Sequence, residues 1–201
     1  VGPLGAVVAA VGRRDGHHRA VGPLQRPLHL GEEGGEPGAV EDGEAAAALL
    51  EGLGELLVHG ITVMPGKPAL LAEIAGRPVV GIPGYPVSAA VAFREFSRPL
   101  LFIMQGLTPP EVDRVEVTVG RKIPSKLGLE EHVRVILGNV GGKAVATPIA
   151  GGAGVITSIV RADGIIRIPQ DVSGLSEGQK TTAELLGPRE AMNDRLLVIG
   201  S

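Results

Sequence analysis

Apolar residues recur along this chain with two different periods, and the change between them marks where helices give way to strands. Residues 45–57, AAAALLEGLGELL, place Leu49, Leu50, Leu53, Leu56 and Leu57 on one face of a helix. His59–Met64 has β-branched residues at positions 61, 62 and 63 and reads as a strand that ends in a proline-glycine turn. Ala69–Ile74 and Val79–Ile82 are two further apolar runs, and the Ala75-Gly76-Arg77-Pro78 link between them predicts a hairpin. Pro86–Leu101 opens on a proline, lacks glycine and offers Val87, Ala90, Val91, Phe93 and Leu100 for burial, which predicts a helix. Pro99 should kink or end that helix near the preceding residue.

Beyond Thr108-Pro109-Pro110 the period shortens to two, and a domain boundary is expected there. VEVTV (115–119) alternates, and HVRVIL (132–137) puts Val133, Val135 and Leu137 on one side. Asn139-Val140-Gly141-Gly142 supplies turn residues before KAVATPI (143–149), so these two runs predict a second hairpin. GIIRIP (164–169) and KTTAELL (180–186) read as further strands. The pattern therefore predicts an α/β portion over residues 45–108 and a small β-rich domain over residues 111–187. Residues 188–201 read as a linker into a following domain, because Leu196–Ile199 opens an apolar strand just before the chain stops at Ser201.

Composition changes the picture mainly at the start. Residues 1–44 are dominated by glycine, alanine, arginine and acidic side chains, and no lysine appears before Lys67. So few large apolar groups hardly offset the entropy of ordering the chain, so this lead reads as poorly ordered or atypical. It also has the composition that a GC-rich gene gives when read out of frame. The net charge of −3 with mixed signs gives no electrostatic case for nucleic acid or a membrane surface. There is no cysteine, which removes disulfides and thiolate metal sites. Val1–Gly12 lacks a basic lead, and no apolar run is long enough to span a bilayer. A cytoplasmic protein is the expectation.

Three stretches could carry chemistry. In Met64-Pro65-Gly66-Lys67-Pro68 the ammonium of Lys67 has a fixed origin, and Gly66 allows a ligand close to the backbone. From spacing alone, a rigid turn with a solvated lysine is the simpler reading. In 81-GIPGYPVSAA-90, Pro83 and Gly84 turn a strand into a helix that begins near Pro86, with Ser88 in its first turn; strand–turn–helix corners of this kind can bind anions. It is not a P-loop, since the Gly-Lys-Ser/Thr ending is absent. As a bare pattern it is more often structural. The hairpin between the two turns could bring both to one sheet edge, where open α/β sheets bind ligands. In 151-GGAGVITSIVRADGIIRIP-169, Thr157 and Ser158 offer hydroxyls and Arg161 with Asp163 a local pair, against an equally good reading as a plain loop and helix. His132 reads as a surface or edge histidine. His17-His18 is too isolated for a metal site, and the acidic run 30–44 reads as a solvated tract.

Taken together, these stretches resemble the molybdopterin molybdenumtransferase family, bacterial MoeA and the E domain of gephyrin. Val58-His59-Gly60-Ile61 leading to Pro65-Gly66-Lys67-Pro68, a hairpin, then Gly81-Ile82-Pro83-Gly84-Tyr85-Pro86-Val87-Ser88, is similar to that family's central signature. Arg121, the Glu131–Val135 stretch and Gly154–Ser158 through Ala162-Asp163-Gly164 are similar to its C-terminal β-domain. The resemblance implies a partial three-layer molybdopterin-binding α/β domain ahead of the β-rich one. It implies insertion of molybdate, as substrate, into molybdopterin or its adenylate, with Mg²⁺ in attendance. Substrate-binding residues would then be Gly66, Lys67, Pro83, Gly84, Pro86, Ser88 and Ser158, and the family reading admits a homodimer. Three departures stand against it. Met64 and Tyr85 occupy positions where the family commonly has a basic residue and an asparagine. An upstream Ser-Gly-Gly-Val-Ser loop with its aspartates is not found in residues 1–57, so no catalytic carboxylate carries over. A non-catalytic molybdopterin-binding or scaffolding relative stays open as the alternative, and a nucleotide-handling α/β enzyme of the molybdopterin adenylyltransferase type is disfavoured by the β-rich half.

Overall fold

The computed structural model describes residues 7–10, 42–150 and 156–189. In chain order the strands are β1 (Val7–Ala10), β2 (Glu55–His59), β3 (Val63–Met64), β4 (Leu70–Ile74), β5 (Arg77–Ile82), β6 (Arg114–Val119), β7 (Ile123–Pro124), β8 (Glu130–Val140), β9 (Lys143–Pro148), β10 (Gly164–Ile168), β11 (Gly174–Leu175) and β12 (Lys180–Leu185). The helices are α1 (Asp42–Leu53), α2 (Pro86–Ala92), α3 (Arg98–Met104) and α4 (Thr157–Val160), with a π turn over Phe93–Ser97 between α2 and α3. None of these helices is long and apolar enough to cross a membrane. The described residues fall into two compact units, one containing 7–10, 42–61 and 66–109, the other 62–65, 110–150 and 156–189.

In the first unit, β1, β5, β4 and β2 form an antiparallel sheet in that order. The predicted hairpin is β4–β5, and its tight turn holds Ala75 at φ 51° and Gly76 at φ 71°, the pair of positive values that matches strand twist. Helix α1 lays Ala47 and Leu50 on Leu70, Ala72 and Val79 of the sheet. The structure corrects the predicted helix over 45–57: α1 ends at Leu53, and Leu56 and Leu57 belong to β2. The cause is Gly54, whose backbone lies so close to β4 that a Cβ there would fall on the Glu73 carbonyl oxygen, 3.0 Å from Ile74 Cα. Residues 7–10, part of the lead expected to be poorly ordered, pair with β5, and α1 already begins at Asp42; positions 1–6 and 11–41 lie outside the described residues.

The helix from Pro86 also differs from expectation, continuing past Pro99 to Met104. Proline cannot donate to the helical ladder, which normally stops or kinks a helix. Here the wider π turn absorbs it, the Arg98 N–H donating to the Phe93 carbonyl immediately before the proline.

The second unit is a closed barrel. Its strands run β10–β12–β6–β9–β8, and β8 pairs back onto β10 to leave no open edge between them. Closure requires a long strand, and β8 has 11 residues, enough to pair with β9 through one stretch and β10 through another. The period-two pattern fills the interior with Val117, Val119, Val135, Leu137, Ala146, Ile166, Ile168 and Ala183, and Ile123 and Leu175 of the small β7–β11 ribbon join them. Each such Val, Leu or Ile stabilises the fold by about 1.5–3 kcal/mol when fully buried. The β8–β9 hairpin forms as predicted, with Gly141 at φ 57° and Gly142 at φ 82° in its turn. The single strand expected over His59–Met64 is split: β2 stops at His59, Gly60 turns at φ 78°, and β3 pairs in parallel with β8 as part of the barrel unit.

Candidate functional site

The β4–β5 hairpin positions both proline-glycine turns of the first unit. Leu70, the first residue of β4, sits opposite Gly81 near the end of β5. Lys67 lies three residues before Leu70 and the Pro83–Pro86 turn begins two residues after Gly81, so both turns leave the same end of the hairpin. The register is tight there. A Cβ on Gly81 would sit 2.9 Å from Leu70 Cβ, so glycine is what allows the two strands to stay paired at this point.

The Lys67 turn is tied down by its backbone. Ala69 N–H donates to the Gly66 carbonyl at 3.0 Å, Ile61 N–H to the Lys67 carbonyl at 2.8 Å and Gly60 N–H to the Ala69 carbonyl at 3.0 Å. Gly66 takes φ 134°, a region that favours glycine, and is buried, while the Lys67 side chain is exposed. The turn thus fixes the root of the lysine and leaves its ammonium in solvent. In the second turn Pro83 is buried, Gly84 and Pro86 are half-buried and Tyr85 is 66% exposed. Tyr85 holds the position before α2 with φ −76° and ψ 130°, and its side chain makes no capping hydrogen bond. Ser88, expected to present a hydroxyl in the first turn, is 4% exposed and faces inward.

Six of the residues singled out from sequence, Gly66, Lys67, Pro83, Gly84, Pro86 and Ser88, therefore gather at one end of one hairpin. Ser158 lies in α4 of the barrel unit and is 2% exposed. The glycines of 151–155 fall outside the described residues. Asp163 has a structural task, its Oδ2 accepting from Leu137 N–H at 3.0 Å while Asp163 N–H donates to the Val135 carbonyl. Magnesium favours carboxylate oxygens, and among the described residues no three His, Asp or Glu side chains converge.

Sequence reading missed a polar chain on the barrel. His132, expected at a surface or edge, is 3% exposed on the central strand β8, and its Nε2 lies 2.7 Å from Glu130 Oε1. Arg167 Nη1 donates to Glu130 at 3.4 Å and Arg167 Nε to Glu184 Oε1 at 3.1 Å; Arg114 Nη2 donates to the same Glu184 oxygen at 3.0 Å. Glu184 is itself buried, so two guanidinium groups offset its desolvation. Nearby on β8, burial pushes the Arg134 guanidinium below its ordinary value. No local signal reports this chain, because Glu184 is 70 positions from Arg114.

Comparison with known proteins agrees with this architecture. Residues 116–186, within the barrel unit, match the MoeA C-terminal region (domain IV). A molybdopterin biosynthesis protein of Methanocaldococcus jannaschii is 33% identical over 149 residues, 74% of this chain and 34% of the relative. The molybdopterin molybdenumtransferase 2 of Mycobacterium tuberculosis is 31% identical over 119 residues, 59% of this chain and 29% of its own length. Among solved structures, a molybdopterin biosynthesis MoeA protein from Pyrococcus horikoshii matches 72% of this chain and 35% of its own at a TM-score of 0.60 and 34% identity. This chain thus spans about a third of the length of these relatives. Residues 116–186 thus carry the MoeA C-terminal region, and the chain is similar to the C-terminal portion of MoeA-like proteins.

Proposed function

We propose that the chain acts in molybdenum cofactor biosynthesis, binding molybdopterin or its adenylate at the Lys67 end of the β4–β5 hairpin as part of a molybdenumtransferase that inserts molybdate. On this reading the first unit is a part of a three-layer molybdopterin-binding domain. The observation that supports it is the shared exit of the two proline-glycine turns from one hairpin end, with Lys67 exposed on a hydrogen-bonded backbone. A rooted ammonium suits a phosphate or molybdate oxygen, since charge-assisted hydrogen bonds are roughly twice as strong as neutral ones. Gly66, Pro83, Gly84 and Pro86 shape the surface around it, and Ser88 packs beneath. The test is Lys67→Ala with calorimetric titration of adenylylated molybdopterin. Affinity should fall by about ten-fold, the loss expected for one charge-assisted contact. Unchanged affinity removes Lys67 from the site.

The alternative, a non-catalytic molybdopterin-binding or scaffolding relative, is supported by Met64, which stands where the resemblance implies a second basic residue near Lys67. Binding without turnover, in a chain whose Lys67→Ala variant loses affinity, would select it.

A further inference from the structure

We infer that Lys67 and Tyr85 form a two-point clamp for a planar anionic heteroaromatic ligand, the ammonium taking the negative group and the phenol ring stacking on the ligand's ring. The inference rests on the proposed site above and assigns the ring-binding half of it.

The two residues are presented by the same local device. Each is the middle residue of a Gly-X-Pro triplet, Gly66-Lys67-Pro68 and Gly84-Tyr85-Pro86, and each triplet leaves the same end of the β4–β5 hairpin. The following proline holds the presenting residue extended, as the φ −76° and ψ 130° of Tyr85 show. Both side chains are exposed, Tyr85 at 66%, while the residues that root them, Gly66 and Pro83, are buried. Tyr85 further breaks a local rule without structural return. It stands at the helix-capping position, where Ser, Thr, Asp or Asn would satisfy a first-turn N–H, and makes no cap. It packs no core, since its ring stays in solvent. A residue that breaks a local preference with no gain in the fold is expected where function selects it. An aromatic face on a rigid turn serves stacking on a flat ring, which tolerates pterin and purine alike.

Tyr85 is the chain's single tyrosine, so ring-labelled tyrosine gives one set of aromatic NMR signals. The chain is titrated with pterin-6-carboxylate, with AMP and with ribose 5-phosphate, which carries the phosphate but no ring. The clamp requires saturable binding of at least one ring-bearing probe with an upfield shift of the Tyr85 ring signals, and binding of ribose 5-phosphate without that shift. A response to pterin-6-carboxylate alone assigns the pterin, a response to AMP alone the nucleotide. Tyr85→Asn should weaken the responding probe by at least about five-fold, the lower end of what base stacking contributes. Ribose 5-phosphate should bind that variant as before, and Tyr85→Phe should bind the ring probe as wild type. Asn can cap α2, so Tyr85→Asn should melt no lower than wild type, which separates lost stacking from lost fold. Saturable binding with a motionless Tyr85 signal, or full affinity in Tyr85→Asn, overturns the clamp and leaves the Lys67 site standing. Failure of all three probes to bind overturns both.

Discussion

The close approach of Gly54 to β4 leads to a prediction in which one substitution, made two positions apart, has opposite signs. A Cβ on Gly54 falls on the Glu73 carbonyl oxygen and within 3.0 Å of Ile74 Cα. Both are backbone atoms of the neighbouring strand, so no side-chain rotation relieves the contact and β2 must move away from β4. Overpacking of this kind costs about 1–3 kcal/mol, and an immovable partner places Gly54→Ala toward the upper end. The reduced freedom of the unfolded chain returns about 0.4–1 kcal/mol, leaving a net loss of about 2 kcal/mol. Gly52, still within α1, has nothing within 4 Å of its Cβ position. Gly52→Ala should therefore gain about 0.5–1 kcal/mol of helix propensity. The assay is urea unfolding followed by tyrosine fluorescence. The chain has no tryptophan and Tyr85 lies in the first unit, so the signal reads the unit that holds both glycines. With a urea slope near the low end of about 1–3 kcal/mol per molar, the Gly54→Ala midpoint should fall by about 1 M or more and that of Gly52→Ala rise by a fraction of that. A Gly54→Ala midpoint at or above wild type refutes the reasoning, as does a lowered midpoint for Gly52→Ala.

Two further outcomes are expected in the barrel unit. Glu184→Ala deprives Arg114 and Arg167 of the buried carboxylate they share at 3.0 and 3.1 Å; thermal unfolding should show a loss of about 1–3 kcal/mol, because Arg167 keeps partial access to water. Hydrogen bonds from Arg189 hold the exposed Asp113 carboxyl below its ordinary value. A depressed carboxylate contributes stability that is present above the unfolded pKa of about 3.9 and fades as the pH falls through the folded value. Arg189→Ala should return the NMR titration of Asp113 to the ordinary carboxylate range, and an unmoved midpoint would show that Arg189 is not the cause. Added salt should shrink the difference between the two proteins, since the pair is exposed.

Much of the strand structure was legible because it is written locally. The β4–β5 and β8–β9 hairpins follow from apolar runs joined by Ala75-Gly76 and Gly141-Gly142, and positive φ at those turns is what such residues supply. The candidate site was legible for the same reason: Gly66-Lys67-Pro68 and Gly84-Tyr85-Pro86 stiffen the chain wherever they stand. The misreadings arose where a distant contact overrode a local pattern. Leu56 and Leu57 complete a helical face on paper, but Gly54 ends the helix against β4 and hands them to β2. Pro99 ought to stop a helix, but a π turn carries the ladder across it.

The sequence by itself thus determined the turns, the hairpins and the positions of Lys67 and Tyr85 on rigid triplets, because bond geometry and side-chain periodicity act over a few residues. Only the tertiary structure decided that residues 62–65 join the barrel unit with Val63 and Met64 paired to β8, that β8 closes the barrel onto β10, and that His132 is buried beside Glu130. It also decided that Glu184 joins Arg114 to Arg167 across the barrel strands. Each of these depends on which segments far apart in the chain pack together, and the balance of burial and pairing that settles it is a property of the whole unit, not of any local stretch.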